Sequence, residues 1–555
     1  MLIRSRVFFI LFLIIFLIII FRLFQLQVLN YSSSNIFDYL SEKKILPERG
    51  RIFDSLSNPL VLNNNSYLLY FEPKKIENPN ETIKKIAEIL LINEASIASK
   101  FNKDKSWVAV AVVNKEKKEK IEKLKINGLG FDYLLKRDYP EASLAAHLLG
   151  FVGKNYQGED IGYFGIEGYY HKDLSGLPGL IRSEKDLLGR PILIGKQEMI
   201  HPENGRDLFL TIDKNIQGMV KDKLKKGIDK YKADGGCVIV ADPFSMAIIA
   251  LVCFPDYDPR NYFLFSENYF RNPAISDLYE PGSVFKPLIM AAAINEKKIK
   301  ANDFYDETGP IKISNYLIKT WDNKYEGKIS MSRILQKSSN VGMVYVGQKL
   351  GNDKLYYYLK NYGFGKLTGI DLQGEVSGNL KPKDKWYAID FATVTFGQGI
   401  AVTPIQMIRS FAAIINGGYL FRPYVVSKIV SSDGRKKIIK PKKERQVISG
   451  ITSEIVKKML VEVVDNGEVK WAKPKGYSLG GKTGTAQIPI RGKYDPNKTI
   501  ASFIGFGPAK NPRFLVLVIL RQPKSSPWGS ETAAPLFFEI AKELLIYYNI
   551  SPEDY

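Results

Sequence analysis

The order of apolar segments beyond residue 205 constrains this chain most. Segments 236–241 (Gly236-Cys237-Val238-Ile239-Val240-Ala241) and 247–253 (Ala247-Ile248-Ile249-Ala250-Leu251-Val252-Cys253) flank Asp242-Pro243-Phe244-Ser245, the composition of a β-hairpin. Three further strand-like segments, 476–490, 500–507 and 513–521, come only after helix-rich stretches at 283–295, 332–350 and 403–416. A closing helix is expected over 531–548, with Leu536, Ile540, Leu544 and Leu545 on one stripe. A lone hairpin is marginal in water, so the late strands must return to it. The result is an α+β fold, a single antiparallel sheet flanked by helices and closed by distant pieces of chain. One hairpin register sets Cys237 opposite Cys253. The preferred reading is two small core residues; a cross-strand disulfide is an option only outside the cytoplasm.

The other end of the chain opens with an unbroken apolar run at 7–21, preceded by Arg4 and Arg6. At about 1.5 Å per residue this run is shorter than the ~30 Å hydrocarbon core of a bilayer, and extension to Leu26 brings it to length. Arg22 then lies where its side chain can reach the headgroups. A cleaved signal peptide is the rival reading, but Phe24, Gln25, Leu26 and Gln27 offer no small-residue cleavage site. The expected organisation is a cytoplasmic tail at 1–6, a transmembrane anchor at 7–26, a pedestal at 27–205, a catalytic domain at 206–548 and a short tail at 549–555. Within the pedestal, helices are expected at 78–101 and 115–126 and a strand at 107–113; a strand at 207–213 and a helix at 216–231 open the next domain. The net charge is +21, but lysines alternate with acids, as in Lys115-Glu116-Lys117-Lys118-Glu119-Lys120, the pattern of solvated helix faces. No nucleic-acid motif is present.

Chemistry is constrained by scarcity. Two cysteines cannot form a four-thiolate zinc site, and no metal or cofactor is expected. The three histidines are His147, His171 and His201, so a site in the catalytic domain must work without an imidazole of its own. Three short patterns occur there in order: Ser283-Val284-Phe285-Lys286, Ser338-Ser339-Asn340 and Lys482-Thr483-Gly484-Thr485. Each alone is weak, since Ser41-Glu42-Lys43-Lys44 and Ser33-Ser34-Asn35 fit the first two equally well. Local context makes the ordered set specific. Pro281-Gly282 precedes Ser283, which then falls at a helix N-terminus, and Lys286 follows one turn on, on the same face. A neutral lysine amine can take the serine proton if burial and nearby cations lower its pKa. Ser338-Ser339-Asn340 lies between two helical segments, where a loop can present a hydroxyl and an amide. Lys482-Thr483-Gly484-Thr485 follows Gly480-Gly481 on a strand, where glycines would let a substrate backbone approach and pair with the edge.

These patterns resemble the signature of the penicillin-binding proteins and serine β-lactamases. Arg49-Gly50-Arg51-Ile52-Phe53-Asp54, Arg137-Asp138-Tyr139-Pro140, His147-Leu148-Leu149-Gly150 and Gly165-Ile166-Glu167 are similar to pedestal motifs of the class B, high-molecular-mass penicillin-binding proteins. Asp277-Leu278-Tyr279-Glu280-Pro281-Gly282-Ser283 and Ser338-Ser339-Asn340-Val341-Gly342 are similar to the division-type (septal) members and their sporulation relatives. The resemblance implies a membrane helix, an elongated α+β pedestal of the dimerisation type and a penicillin-binding transpeptidase fold. It implies a D,D-transpeptidase that crosslinks peptidoglycan stem peptides through a serine acyl-enzyme and is acylated by β-lactams. Ser283 would be the nucleophile, Lys286 its base and Ser338 a proton relay. Asn340 would orient Lys286 and the donor amide, and Lys482 would hold the cleft positive. Thr483, Gly484 and Thr485 would bind the donor carboxylate. Implied partners are a D-Ala-D-Ala donor, an amine acceptor, a membrane glycan polymerase and other division proteins, at the cytoplasmic membrane with the catalytic domain outside. Elongation-type enzymes and an inactive scaffold or β-lactam sensor are the alternatives. A hydrolase is a further rival, with Glu375 as an unassigned acidic candidate. Phe396-Gly397-Gln398-Gly399 resembles a family loop below the cleft.

Overall fold

The computed structural model describes residues 2–25, 27, 40–184, 197–490 and 493–553; Leu26 and the Ser33-Ser34-Asn35 triplet lie outside them. The chain forms two compact units. The first comprises residues 1–49 and 175–205. It contains the helix Leu2–Phe24 and an antiparallel three-stranded sheet of Leu40–Ile45, Gly179–Glu184 and Gln197–Ile200, with Gly179–Glu184 in the middle. Val7–Phe24 has a mean hydropathy of 3.3 and no part buried by the chain, so by length and composition it can cross a membrane. Ser41 and Lys44 lie on a strand of this unit rather than at a helix start.

The second unit, residues 50–174 and 206–555, is built on the expected sheet. Its five strands run in the order Ile248–Phe254, Gly235–Ala241, Phe514–Arg521, Lys493–Gly507 and Gly480–Ile490, every pair antiparallel. Alternation along the strands sorts side chains into two buried layers. Val238, Val240, Val516 and Val518 pack with Val220 and Leu224 of the helix Lys214–Tyr231 and with Leu536, Ile540 and Leu544 of Ala533–Tyr547. Ile239, Leu515 and Leu517 face the other way, onto Lys286–Asn295, Pro404–Ile415 and Gly450–Asn466. Pro404–Ile415 is buried along its whole length and starts with a reciprocal cap: Thr403 Oγ1 accepts the Gln406 N–H at 3.3 Å and Gln406 Oε1 accepts the Thr403 N–H at 3.0 Å.

Cys237 does pair with Cys253 in the hairpin, and the two form a disulfide, which corrects the reading of them as unpaired core residues. Antiparallel strands put directly opposed Cβ atoms within bridging range, so once this register is set the thiols are neighbours.

Residues 50–174 continue into a second sheet. Asp207–Leu210 pairs in parallel with Ile52–Phe53 on one side and antiparallel with Val426–Val430 on the other. Beyond Ile52–Phe53 come Pro59–Phe71, Val108–Asn114 and Leu129–Asp138. The helix expected at 78–101 is two, Pro79–Leu90 and Glu94–Ala98, because Leu91 takes a left-handed conformation and Asn93 caps the second by accepting the Ala95 N–H. The pedestal motifs have structural work: Arg137 Nε donates to Glu167 at 2.7 Å with both side chains buried, and Asp54 accepts the N–H groups of Leu56 and Asn58 in a turn.

Candidate active site

Ser283 sits in a single turn of 3₁₀-helix, Gly282–Phe285, and Lys286 is the first residue of the α-helix Lys286–Asn295. Gly282 has φ +59 and its backbone carbonyl would collide with any Cβ at Gly397, so the Phe396-Gly397-Gln398-Gly399 loop packs tightly under the serine turn. Gly282 N–H donates to the Gly397 carbonyl at 2.9 Å. The turn is thereby held from below while its serine faces a cleft of about 430 Å³, lined by Ser283, Ser338, Asn340, Thr483, Thr485, Glu468 and three tryptophans among others.

The second motif occupies the break between the helices Met331–Gln336 and Asn340–Leu350. Ser338 has φ 59, a conformation rarely taken by a residue with a side chain. The kink sends neighbouring side chains in different directions. Ser339 turns inward: its hydroxyl caps the following helix by accepting the Gly342 N–H at 2.9 Å, and it donates to the buried Glu307. Glu307 also pairs with Lys337 at 2.8 Å, so one buried carboxylate ties both neighbours of Ser338. Ser338 and Asn340 turn towards the first motif. Lys286 Nζ, fully buried, donates to the Ser338 carbonyl, to Ser338 Oγ at 3.1 Å and to Asn340 Oδ1 at 2.9 Å. Asn340 Nδ2 donates to the Lys319 carbonyl at 3.1 Å, which fixes the amide with its oxygen towards the lysine.

The third motif lies on Gly480–Ile490, the edge strand nearest this turn. Gly484 is required by close approach: a Cβ there would lie 2.4 Å from Ser502 Oγ and 2.9 Å from Val284 Cγ1. Gly480 and Gly481 have a different role from the one expected. A Cβ on either would enter the rings of Phe506 or Phe503, so these glycines admit the protein's own core rather than a substrate backbone. Thr485 Oγ1 accepts the Gly529 N–H at 3.0 Å, which leaves its hydroxyl proton for a ligand. Lys482 is buried, with Thr483 Oγ1 at 3.1 Å.

Burial sets the electrostatics. Lys286 is pushed well below its ordinary 10.5, first by desolvation and then by the Lys482 cation, with Glu468 and Glu307 opposing. Lys482 is lowered to about 8 by desolvation, opposed by Glu468. Glu468 itself is raised, because the cleft walls crowd its carboxyl more than the two lysines compensate. Sequence reading missed Glu468, Glu307, Trp321, Trp471 and Trp528, none of which belongs to a local pattern. Glu375 is not among the cleft residues; it accepts the N–H groups of Thr368 and Gly369 in a loop. Among the described residues no group of His, Cys, Asp and Glu could hold a metal ion.

Comparison with known proteins agrees with this geometry. Residues 236–542 match the family model for the penicillin-binding protein transpeptidase domain, and residues 44–210 that for the penicillin-binding protein dimerisation domain. The chain is 34% identical over 516 residues to stage V sporulation protein D of Bacillus subtilis, covering 91% of this chain and 79% of the relative. It is 29% identical over 524 residues to the peptidoglycan D,D-transpeptidase FtsI of Escherichia coli, covering 93% and 86% respectively. Among solved structures, penicillin-binding protein 2X of Streptococcus thermophilus superimposes with a TM-score of 0.77 at 24% identity, over 91% of this chain and 80% of that one, and shares the fold.

Proposed function

The chain belongs to the class B penicillin-binding proteins, which join a dimerisation domain to a transpeptidase domain, and from that premise we propose that it is a serine D,D-transpeptidase crosslinking peptidoglycan stem peptides during septal wall synthesis. The observation that carries this reading is the convergence of Ser338 and Asn340 on the buried amine of Lys286, with Ser283, Thr483 and Thr485 lining the same cleft. A deprotonated Lys286 keeps two hydrogens. The Ser338 carbonyl and Asn340 Oδ1 can only accept, so they take both, and the lone pair is left for a hydroxyl. Lys286 can then accept the Ser283 proton as Ser283 Oγ attacks the carbonyl between the donor's two terminal D-alanines. Ser338, 3.1 Å from the amine, passes that proton to the departing D-alanine nitrogen. Thr483 and Thr485, beside the Lys482 cation, suit the donor's terminal carboxylate. An amine from a second stem peptide then attacks the ester, its proton returns through Lys286 to Ser283, and a new amide replaces the old one.

β-Lactams, which mimic the donor, should acylate Ser283. The septal assignment leans on the names of the relatives and on the sequence around Ser283 and Ser338. Val7–Phe24 as a single-pass anchor, with the catalytic domain outside the cytoplasmic membrane, fits the Cys237–Cys253 disulfide, since disulfides persist in oxidising compartments. A membrane glycan polymerase is the expected partner. The test is covalent labelling by a fluorescent penicillin. The wild-type chain should keep the label for many minutes and Ser283→Ala should take none while still melting cooperatively; rapid loss of label from the wild type would indicate a hydrolase instead. A fluorescent fusion should mark the division septum, and an even lateral distribution would favour an elongation role.

A further inference from the structure

The donor half of the cleft is accounted for by Ser283, Thr483 and Thr485. Two cleft carboxylates, Glu468 and Glu531, are not. Other acids near the site are engaged: Glu307 by Lys337 and Ser339, Glu326 by Arg333, and Asp322 by the Lys324 N–H. The side chains of Glu468 and Glu531 make no hydrogen bond or ion pair with any described residue. Aromatic rings stand with them, for three of the chain's five tryptophans line this cleft, Trp321 and Trp528 with ring centroids 5.2 Å apart. Carboxylates and indole rings lining one cleft suit an ammonium ion, through charge and through the π-face. The second substrate of the proposed reaction arrives with such a group, since an alkyl amine is protonated near neutral pH.

We infer that Glu468 binds the ammonium group of the acceptor stem peptide and takes its first proton, and that the acceptor amine is one without a free carboxylate on the same carbon. This rests on the transpeptidase reading and deepens it. The acceptor R–NH₃⁺ gives one proton to the Glu468 carboxylate, which passes it to water. The resulting R–NH₂ attacks the acyl-Ser283 ester, the C–N bond forms and the C–Oγ bond breaks, and the second proton reaches Ser283 Oγ through Lys286. The raised pKa of Glu468 makes it a stronger base than an ordinary carboxylate. The negative pair formed with Glu531 would repel an acceptor whose amine sits beside its own carboxylate, as in unamidated diaminopimelate, and admit a lysine-type or amidated side chain.

The test uses the full chain in detergent, a depsipeptide donor ending in D-Ala-D-lactate, and three acceptor peptides carrying lysine, amidated diaminopimelate or free diaminopimelate. The readout is the partition of one acyl-enzyme between aminolysis and hydrolysis, which does not depend on how fast that acyl-enzyme forms. The wild type should favour the first two acceptors. Glu468→Gln should lower their aminolysis-to-hydrolysis ratio about tenfold, the loss of one hydrogen bond to a charged group. Glu468→Lys should shift the preference towards free diaminopimelate, and penicillin labelling of each variant reports that its site is folded. An unaltered ratio in Glu468→Gln, or a wild type that prefers free diaminopimelate, overturns the acceptor assignment and leaves the transpeptidase reading standing. A wild type that forms no acyl-enzyme, or hydrolyses it whatever amine is present, overturns both.

Discussion

The helical wall and the strand wall of the cleft each bury a lysine, and the two differ instructively. Lys286, on the helical wall, is enclosed by the Ser338 carbonyl, Ser338 Oγ and Asn340 Oδ1; Lys482, on the strand wall, has Thr483 beside it. Desolvation lowers both amines. The foremost charge acting on Lys286 is the like charge of Lys482, whereas the charge acting on Lys482 is the opposite one of Glu468. One lysine therefore lies far below 10.5 and the other near 8. Two identical side chains can serve as a neutral base and a resident cation because their neighbours differ, not because their burial does.

The largest effect should come from the base. Lys286→Ala removes the amine that bonds Ser338, and the rate of acylation by a fluorescent penicillin should fall about 10³-fold, within the range for loss of a general base. The same change removes a buried amine and three hydrogen bonds, so thermal melting must be followed alongside. If acylation survives in Lys286→Ala while Lys482→Ala abolishes it, the roles assigned to the two walls are reversed.

Lys482→Ala should have the next largest effect, about 10²-fold on acylation, as expected for loss of one electrostatic contact to the donor. Its pH signature matters more than its size. Acylation needs Lys286 neutral, so activity falls as pH drops through the lowered pKa of Lys286; it also needs Lys482 cationic, so activity falls again as pH rises through about 8. The wild-type profile should be a bell. Without the Lys482 cation, Lys286 is easier to protonate, so the acid limb should move to higher pH in Lys482→Ala. Lys482→Arg keeps its charge across the range and should remove the basic limb. Stopped-flow penicillin labelling across pH measures all three, and an acid limb that stays in place in Lys482→Ala would show that the walls are not coupled.

The two walls were unequally legible in the sequence. Ser283 and Lys286 are one helical turn apart, so their shared face follows from local geometry, and the proline and glycine before them mark where the helix begins. The strand wall was legible as a pattern and misread in detail: Gly480 and Gly481 answer to Phe506 and Phe503, more than twenty residues on in the chain, and no local rule anticipates that contact. Glu468 and Glu307 escaped for the same reason, since a single carboxylate gains meaning only from what tertiary packing sets beside it. The strands Pro59–Phe71 and Leu129–Asp138 were not anticipated, and the first carries Asn63-Asn64-Asn65, residues of low strand propensity. In the sheet these asparagines serve as cross-strand partners, Asn63 to Arg137, Asn64 to Asp138 and Asn65 to Tyr133.

The smallest effect expected tests how the cage around Lys286 is held. Ser339 makes no hydrogen bond to Lys286 and does not line the cleft, yet its hydroxyl caps Asn340–Leu350 and binds Glu307, and the left-handed turn at Ser338 hangs between these supports. Ser339→Ala should cost about 1 kcal/mol of stability, the usual loss for an N-cap. It leaves Glu307 with Lys337 and the Glu326 N–H, and with less to hold Ser338 in place the acceptors around Lys286 loosen. Acylation should then slow by only a few-fold, with the acid limb shifted and the basic limb, which belongs to Lys482, fixed near pH 8. Ser339→Thr keeps the hydroxyl and should restore the acid limb. A shift of both limbs together would mean that the two walls move as one body and that the contrast between their lysines is not set locally.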